Sequence, residues 1–173
     1  MPYSMSQSSL SVFEIGLGAL GAVLDKAVAH AAAKKVDPAV LLGWRLAPDM
    51  YALTRQVQIV CDQAKNGSAR LAGVEPPKFE DTETTVEALK ARIAKTLAFV
   101  KGLDAKAIDA AAGRDIVFPL GPTKGQMTGA DYLNHFVLPN FYFHLTAAYA
   151  IVRNFGADVG KRDFLGAIPL KLV

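Results

Sequence analysis

The sequence predicts an all-α protein, a four-helix bundle with a small β-hairpin or irregular crossover before the last helix. Four long segments repeat apolar residues at helical spacing, and capping or turn residues separate them. Between the third and fourth segments the pattern changes to that of short strands. Helices with one apolar face bury it most simply against each other. With no internal repeat and no linker, we expect one domain over residues 1–173.

Two long helices are predicted in the first half of the chain. The first should begin near residues 8–11, because Ser11 and Glu14 have the spacing of a capping box. The second should run over about residues 48–72 and end at Gly73, a residue suited to the left-handed conformation that follows many helices.

The third helix is predicted to start within residues 82–84, where Thr84 and Glu87 form a second capping pair. Residues 103–113 are rich in alanine and have no clear period. We leave them open as a short helix or a loop.

A hairpin is predicted over residues 115–127, where a strand-like run is followed by glycine and proline. Thr128 and Asp131 should start the fourth helix, and Gly156 should end it. The tail, residues 157–173, carries several apolar side chains. We expect it to pack on the bundle or on a second copy of it.

The bulk composition excludes several classes of protein. Hydrophobic residues make up 51% of the chain and charged residues 20%, which is typical of a globular protein. The net charge of +3 is scattered, so we expect no nucleic-acid partner. The sequence contains no recognisable secretory signal, so we expect no export. It also contains no run of about 20 apolar residues, so we expect no membrane span. The single cysteine, Cys61, fits a cytoplasmic protein and is a core residue or a reactive thiol.

The fourth helix carries two polar residues within its apolar stripe. Asn140 and His144 lie one turn apart. Pro139 lacks an amide hydrogen and clashes with the preceding turn, so the helix should bend or loosen there. A loosened turn beside two inward polar groups predicts the floor of a pocket. The whole face comprises Val137, Asn140, His144, Ala147 and Ile151.

Nearly the whole chain resembles a known family. Together with the order of the elements, the segments at residues 45–50, 55–58, 132–136, 138–144 and 160–166 resemble a bacterial branch of the DinB/YfiT-like superfamily, known only as a domain of unknown function. The run Pro-Asn-Phe-Tyr-Phe-His is the most specific of these motifs. The resemblance implies a DinB-like bundle, and metalloenzymes as relatives.

Metal-binding members of that superfamily resemble one another in three histidines, one early in the second helix and an HxxxH pair on the fourth. Some use the metal to activate a small thiol for transfer, and others are isomerases. On this chain the second histidine of the pair falls on His144 and the first on Asn140. The histidine of the second helix falls near Gln56, with Gln58 as the alternative.

The resemblance therefore leaves one histidine of three. Zinc-like ions require imidazole or thiolate donors, usually at least three from the protein, and amide oxygens are weak ligands for them. Asp49 and Asp62 are the remaining oxygen donors that could assist. We expect His144 to be hydrogen-bonded to Gln56 or Asn140 in a satisfied polar cluster, without a cofactor. A divalent metal such as zinc or nickel on His144 is the alternative.

Three functions remain open, and no catalytic residue is assigned. The preferred one is a metal-free relative that keeps a small-molecule pocket between the second and fourth long helices. The second is a metal-dependent transferase or isomerase with His144 as ligand or general base. The third is a structural or interaction protein acting as a homodimer, which the aromatic residues of the fourth helix favour. The candidate pocket residues are Gln56, Gln58, Asn140, His144, Asp49 and Asp62.

Overall fold

The computed structural model of the protein describes residues 4–171. It is mostly helical, with one two-stranded antiparallel sheet ahead of the last long helix, as predicted. The elements are α1 (Met5–Ala33), α2 (Ala39–Leu42), α3 (Leu53–Ala72), α4 (Val86–Lys101), α5 (Ala105–Asp109), β1 (Asp115–Leu120), β2 (Thr123–Thr128), α6 (Gly129–Asp131), a π-helical segment (Tyr132–Val137), α7 (Leu138–Asn154) and α8 (Lys161–Leu165).

The four long helices form the bundle. Helix α3 packs against α4 on one side and α7 on the other, and α1 packs against the same two helices. Each helix therefore buries one apolar stripe towards a shared core. Members of that core from all four helices include Phe13, Leu17, Leu24, Val57, Val60, Leu89, Ile93, Phe141 and Val152.

Helix α1 begins earlier than predicted. Its N-cap is Ser4, whose hydroxyl accepts a hydrogen bond from the Gln7 amide at 3.2 Å. Ser11 lies inside the helix and donates to the Gln7 carbonyl, so the expected capping box with Glu14 does not form. Ser8 and Ser9 likewise donate to carbonyls one turn earlier, so their hydroxyls are satisfied within the helix.

Helix α3 begins at Leu53, five residues after the predicted start at Pro48. The intervening residues form a turn, and the Arg45 guanidinium donates to the Pro48 and Met50 carbonyls there. These carbonyls are therefore satisfied outside a helix. The predicted end is confirmed, since Gly73 is left-handed with φ of 76°.

Helix α4 starts at Val86, and its cap is Thr85, whose hydroxyl accepts from the Ala88 amide at 3.1 Å. The predicted pair of Thr84 and Glu87 is therefore one residue out of register. The alanine-rich stretch that follows contains the short helix α5, capped by Asp104.

The predicted hairpin is confirmed. Strands β1 and β2 pair antiparallel, from Asp115 opposite Thr128 to Leu120 opposite Thr123. The hairpin attaches to the bundle through Phe118, whose ring centroid lies 4.5 Å from that of Phe136.

The predicted loosening of the helix near Pro139 is also confirmed. Thr128 caps the start of the last helical region by accepting from the Asp131 amide at 3.2 Å. The chain then takes the wider π-helical turn over Tyr132–Val137, immediately before the proline. Such turns accommodate a break in the regular hydrogen bonding of a helix. Gly156, with φ of 104°, follows the end of α7 as expected.

The tail packs on the bundle as predicted, through α8 on α1. The ring of Phe164 lies 5.6 Å from that of Tyr149 on α7. Gly166 has φ of 64°, and a Cβ atom there would lie 3.0 Å from the Ala19 side chain. This glycine therefore permits both the reversal of the chain and its close approach to α1.

Two further observations concern the predictions about a membrane span and about Cys61. Over residues 4–171, the structure contains no helix that combines the length and the hydropathy needed to span a bilayer. Cys61 is fully buried, and burial raises the pKa of its thiol to about 12. The core alternative for this cysteine is therefore favoured over a reactive thiol.

Candidate functional site

The candidate site lies between α3 and α7, where His144 meets Gln56. The imidazole Nδ1 lies 2.7 Å from Gln56 Oε1. Gln56 is 1% exposed, and its Nε2 donates to the Tyr51 carbonyl at 3.2 Å. His144 is half-buried. The expected pairing of this histidine with Gln56 is therefore present, and it joins two helices that are distant in the chain.

Asn140 lies one turn before His144 on α7 but does not bond to it. Its Nδ2 donates to the Phe136 carbonyl at 2.7 Å. The amide thus bonds to a carbonyl of the π-helical segment one turn earlier in the chain and is satisfied there.

Gln58 and Asp62 are not brought to His144. Gln58 donates to Glu83 at 2.8 Å, and Asp62 pairs with Arg92 at 3.1 Å. Residues two apart on an α-helix point about 200° away from each other. Of the two candidate glutamines of α3, only Gln56 therefore faces α7.

Asp49 is also away from the site. It is exposed in the segment between α2 and α3, and no ion pair to it is found within residues 4–171. Neither flanking arginine binds it. Arg45 donates to backbone carbonyls, and Arg55 pairs with Asp81 at 2.5 Å.

The imidazole is held neutral. Burial lowers the pKa of His144 below its ordinary value of 6.5, and the nearby Arg55 cation lowers it further. Both effects disfavour the imidazolium, burial because it removes water from the charge and the arginine because it repels it. At neutral pH the ring therefore carries one hydrogen and one lone pair.

The residues present do not fit the metal that the resemblance implies. Gln56 and Asn140 supply neutral amides where the resemblance implies imidazoles, and both amide nitrogens donate to carbonyls. Among residues 4–171, no three His, Cys, Asp or Glu side chains converge on one point. A zinc- or nickel-type ion would find one imidazole here instead of three strong donors.

A groove adjoins the site between α7 and the segment that leads into α3. Its volume is about 440 Å³. Phe143 lines the groove and also stands edge-on to His144, with ring centroids 5.1 Å apart. No charged side chain contributes to its lining, which consists of Leu46, Met50, Pro139, Tyr142, Phe143, Thr146, Ala147 and Ala150.

A charged cluster occupies the other side of α3. Arg92 of α4, whose side chain is 2% exposed, contacts Glu83 and Asp81 at 2.9 Å and Asp62 at 3.1 Å. We call these four residues the Arg92 cluster. Sequence reasoning missed it. The signal was an arginine inside the apolar stripe of α4, three residues after Leu89.

The Arg92 cluster fastens the connection between α3 and α4. Two of its carboxylates, Asp81 and Glu83, belong to that connection, and the Lys65 ammonium also donates to the Pro77 carbonyl there at 2.6 Å. Burial opposes ionisation of Glu83, but hydrogen bonds from Arg92 and Gln58 outweigh it and lower the pKa of the carboxyl. The arrangement holds a long connection in place.

Comparisons with known proteins agree with the fold. The profile of the family described as "Domain of unknown function (DUF1993)" matches residues 5–165. The chain is also similar to a crystal structure of a DinB family member protein from Shewanella denitrificans, with 43% identity and a TM-score of 0.90. The match covers 97% of this chain and 95% of that one. No curated protein matches the chain.

Proposed function

Because the chain belongs to the DUF1993 family of DinB-like proteins, we propose that it is a relative working without a resident metal, with a small-molecule site between α3 and α7. One observation carries the proposal. Nδ1 of His144 lies 2.7 Å from the amide oxygen of Gln56. Gln56 thus takes the place at which the resemblance implies a second imidazole in metal-binding relatives.

The groove beside His144 supports the small-molecule part of the proposal. Its volume of about 440 Å³ lies within the range of about 300–1,000 Å³ common for ligand sites. Such sites combine an apolar lining with a few polar groups that orient the ligand. Here the lining is apolar, and Phe143 forms a shared wall between the groove and the imidazole of His144.

The metal content of the purified protein tests the proposal. We expect no stoichiometric transition metal, and no rise in melting temperature with zinc, nickel or manganese. A double variant, Gln56→His with Asn140→His, rebuilds the three-histidine set and should gain metal. Since a ligand of the folded state stabilises it, metal at about 100 times its Kd should add about 2.7 kcal/mol.

The matched control is Gln58→His with Asn140→His. Gln58 faces Glu83 on the opposite side of α3, so this variant should gain no such stabilisation. Stoichiometric metal in the unmodified protein, lost in His144→Gln, would contradict the proposal. It would favour the alternative, a metal-dependent transferase or isomerase with His144 as ligand.

A homodimer is the second candidate function, and the aromatic residues of α7 and the turn before it favour it. Phe136 packs on the hairpin, Phe141 on α1 and Tyr149 on the tail. Phe143, by contrast, is 61% exposed. We propose a second copy as the partner of this face. The protruding Phe143 ring and the apolar groove lie side by side, so a two-fold axis would bring each ring to the other copy's groove.

Light scattering on the eluting protein tests the dimer, with Phe143→Asp as the disrupting variant. A charge placed in the proposed interface should convert the dimer to a monomer. Val117→Asp is the control, because Val117 is 53% exposed on the outer face of β1. A protein that is monomeric before any substitution, or that dimerises equally in both variants, would rule this face out.

We also propose a cytoplasmic location. The sole cysteine, Cys61, is unpaired and buried, which suits a reducing compartment. Fractionation of cells that express the tagged chain would test this.

A further inference from the structure

The hydrogen bonds of Gln56 decide which way its amide points. The Tyr51 carbonyl can only accept, so the group that faces it at 3.2 Å must be the amide nitrogen of Gln56. The amide oxygen is then the atom that lies 2.7 Å from His144 Nδ1. An amide oxygen can only accept, and so Nδ1 must carry the hydrogen of the neutral ring.

The other ring nitrogen of His144, Nε2, therefore carries a lone pair. Within residues 4–171 no protein group hydrogen-bonds to it. It is also not among the buried polar atoms of that region that lack a partner. Solvent therefore reaches Nε2, and a ligand can do the same.

We infer that Gln56 is a positioning residue that fixes His144 as the Nδ1–H tautomer, so that Nε2 is the hydrogen-bond acceptor of the site. The ligand class that this acceptor selects is a neutral small molecule with a hydroxyl, thiol or amide N–H group. The ligand class rests on the small-molecule site proposed above, whereas the tautomer does not.

An anionic ligand is disfavoured by the same geometry. A carboxylate or phosphate oxygen would face the lone pair of Nε2 and repel it. The nearby cation, Arg55, is already paired with Asp81 at 2.5 Å and also donates to Gln58 at 3.2 Å. The adjoining groove offers no charged side chain to an anion.

Nuclear magnetic resonance of the full chain with ¹⁵N-labelled histidine tests the tautomer, with His144→Gln to assign the signals. We expect a protonated Nδ1 and an unprotonated Nε2 at neutral pH. Gln56→Leu removes the acceptor and should release the preference, whereas Gln56→Glu keeps an acceptor and should retain a protonated Nδ1. An Nε2–H tautomer in the unmodified protein, or no change in a folded Gln56→Leu, would overturn the inference.

Phenol and benzoate, which share an apolar ring and differ in the polar group, test the ligand class. Titrations followed by NMR should show tighter binding of phenol. His144→Phe should weaken phenol binding by roughly two- to tenfold, the effect of one neutral hydrogen bond, and leave benzoate unchanged. Equal affinity for both probes, no binding of phenol, or phenol binding that is insensitive to His144→Phe would overturn the ligand class.

The two proposals fail in different experiments. Metal bound to Nε2 of His144 would end the metal-free proposal but would leave Nδ1 protonated. The opposite tautomer would end the present inference even in a protein that contains no metal.

Discussion

The two sides of α3 bury polar groups by different interactions, ion pairs on one side and a neutral hydrogen bond on the other. Towards α4, Asp62 joins the Arg92 cluster, with full charges on every member. Towards α7, Gln56 and His144 form one neutral contact. The side facing α4 has more ionisable side chains, but these side chains pair with one another. The neutral side leaves Nε2 of His144 accessible, which is why we assign function there.

The comparison separates a structural cluster from a functional one. Among the buried side-chain atoms of the described residues, Nε of Arg92 is the one atom of the Arg92 cluster that lacks a hydrogen-bond partner. Its carboxylates hold the connection between α3 and α4, and a bound ligand would have to displace them. A dense group of charges is therefore not by itself evidence of a site.

The largest expected effect is that of Arg92→Met on stability. The substitution leaves the carboxylates of the Arg92 cluster without their shared cation, and removing one partner of a buried ion pair costs about 3–5 kcal/mol. We expect the lower end, because two of the three carboxylates are partly exposed. Urea unfolding measures it. Ala98→Met, at an exposed position of α4, should stay within about 0.5 kcal/mol, and a similar loss in both variants would contradict the prediction.

Gln56→Leu should have a smaller effect, about 1–2 kcal/mol, the cost of leaving a buried polar group without its partner. It deprives both the Tyr51 carbonyl and the His144 imidazole of a hydrogen bond. Urea unfolding again gives the value. The control is Gln63→Leu in the same helix, at a half-buried position, which should be nearly neutral. An equal loss at Gln63 would show that the Gln56 contact is energetically unimportant.

The two sides of α3 should also lose stability in different pH windows. The pKa of His144 is lowered in the folded state, so the unfolded chain binds its proton first, and stability falls as the pH drops below 6.5. The pKa of Glu83 is also lowered, so its contribution is present above pH 4.5 and is lost as the pH falls through the folded value.

Unfolding midpoints measured from pH 8 to pH 3 would separate the two windows. His144→Gln should remove the pH dependence of stability in the window below pH 6.5. Glu83→Gln should remove it in the window below pH 4.5. If either substitution flattened both windows, or neither, the assignment of the two pKa shifts would be wrong.

The smallest expected effect connects the two sides through Arg55. This cation lowers the pKa of His144, and it is paired with Asp81 of the Arg92 cluster. Asp81→Asn removes a negative charge and should lower the pKa of His144 further, whereas Arg55→Gln should raise it. Titration of the imidazole by NMR measures both, and shifts of the same sign would contradict the coupling.

Local signals predicted the fold better than the site. The hairpin and the helix end at Gly73 depend on residues close together in the chain, and both are confirmed. Helix starts are harder to place from sequence, since several serines or threonines compete for each cap. Thr85 caps α4 where Thr84 was predicted, a difference of one residue that spacing could not resolve.

The sequence by itself determined that this chain is a helical bundle with an inserted hairpin, that its last long helix loosens before Pro139, and that only one of the three expected histidines is present. Only the tertiary structure decided that Gln56, and not Gln58, meets His144 across 88 residues of chain. That choice depends on how α3 is rotated against α7, which core packing sets and no local pattern encodes. The same rotation decides which imidazole nitrogen stays open to a ligand.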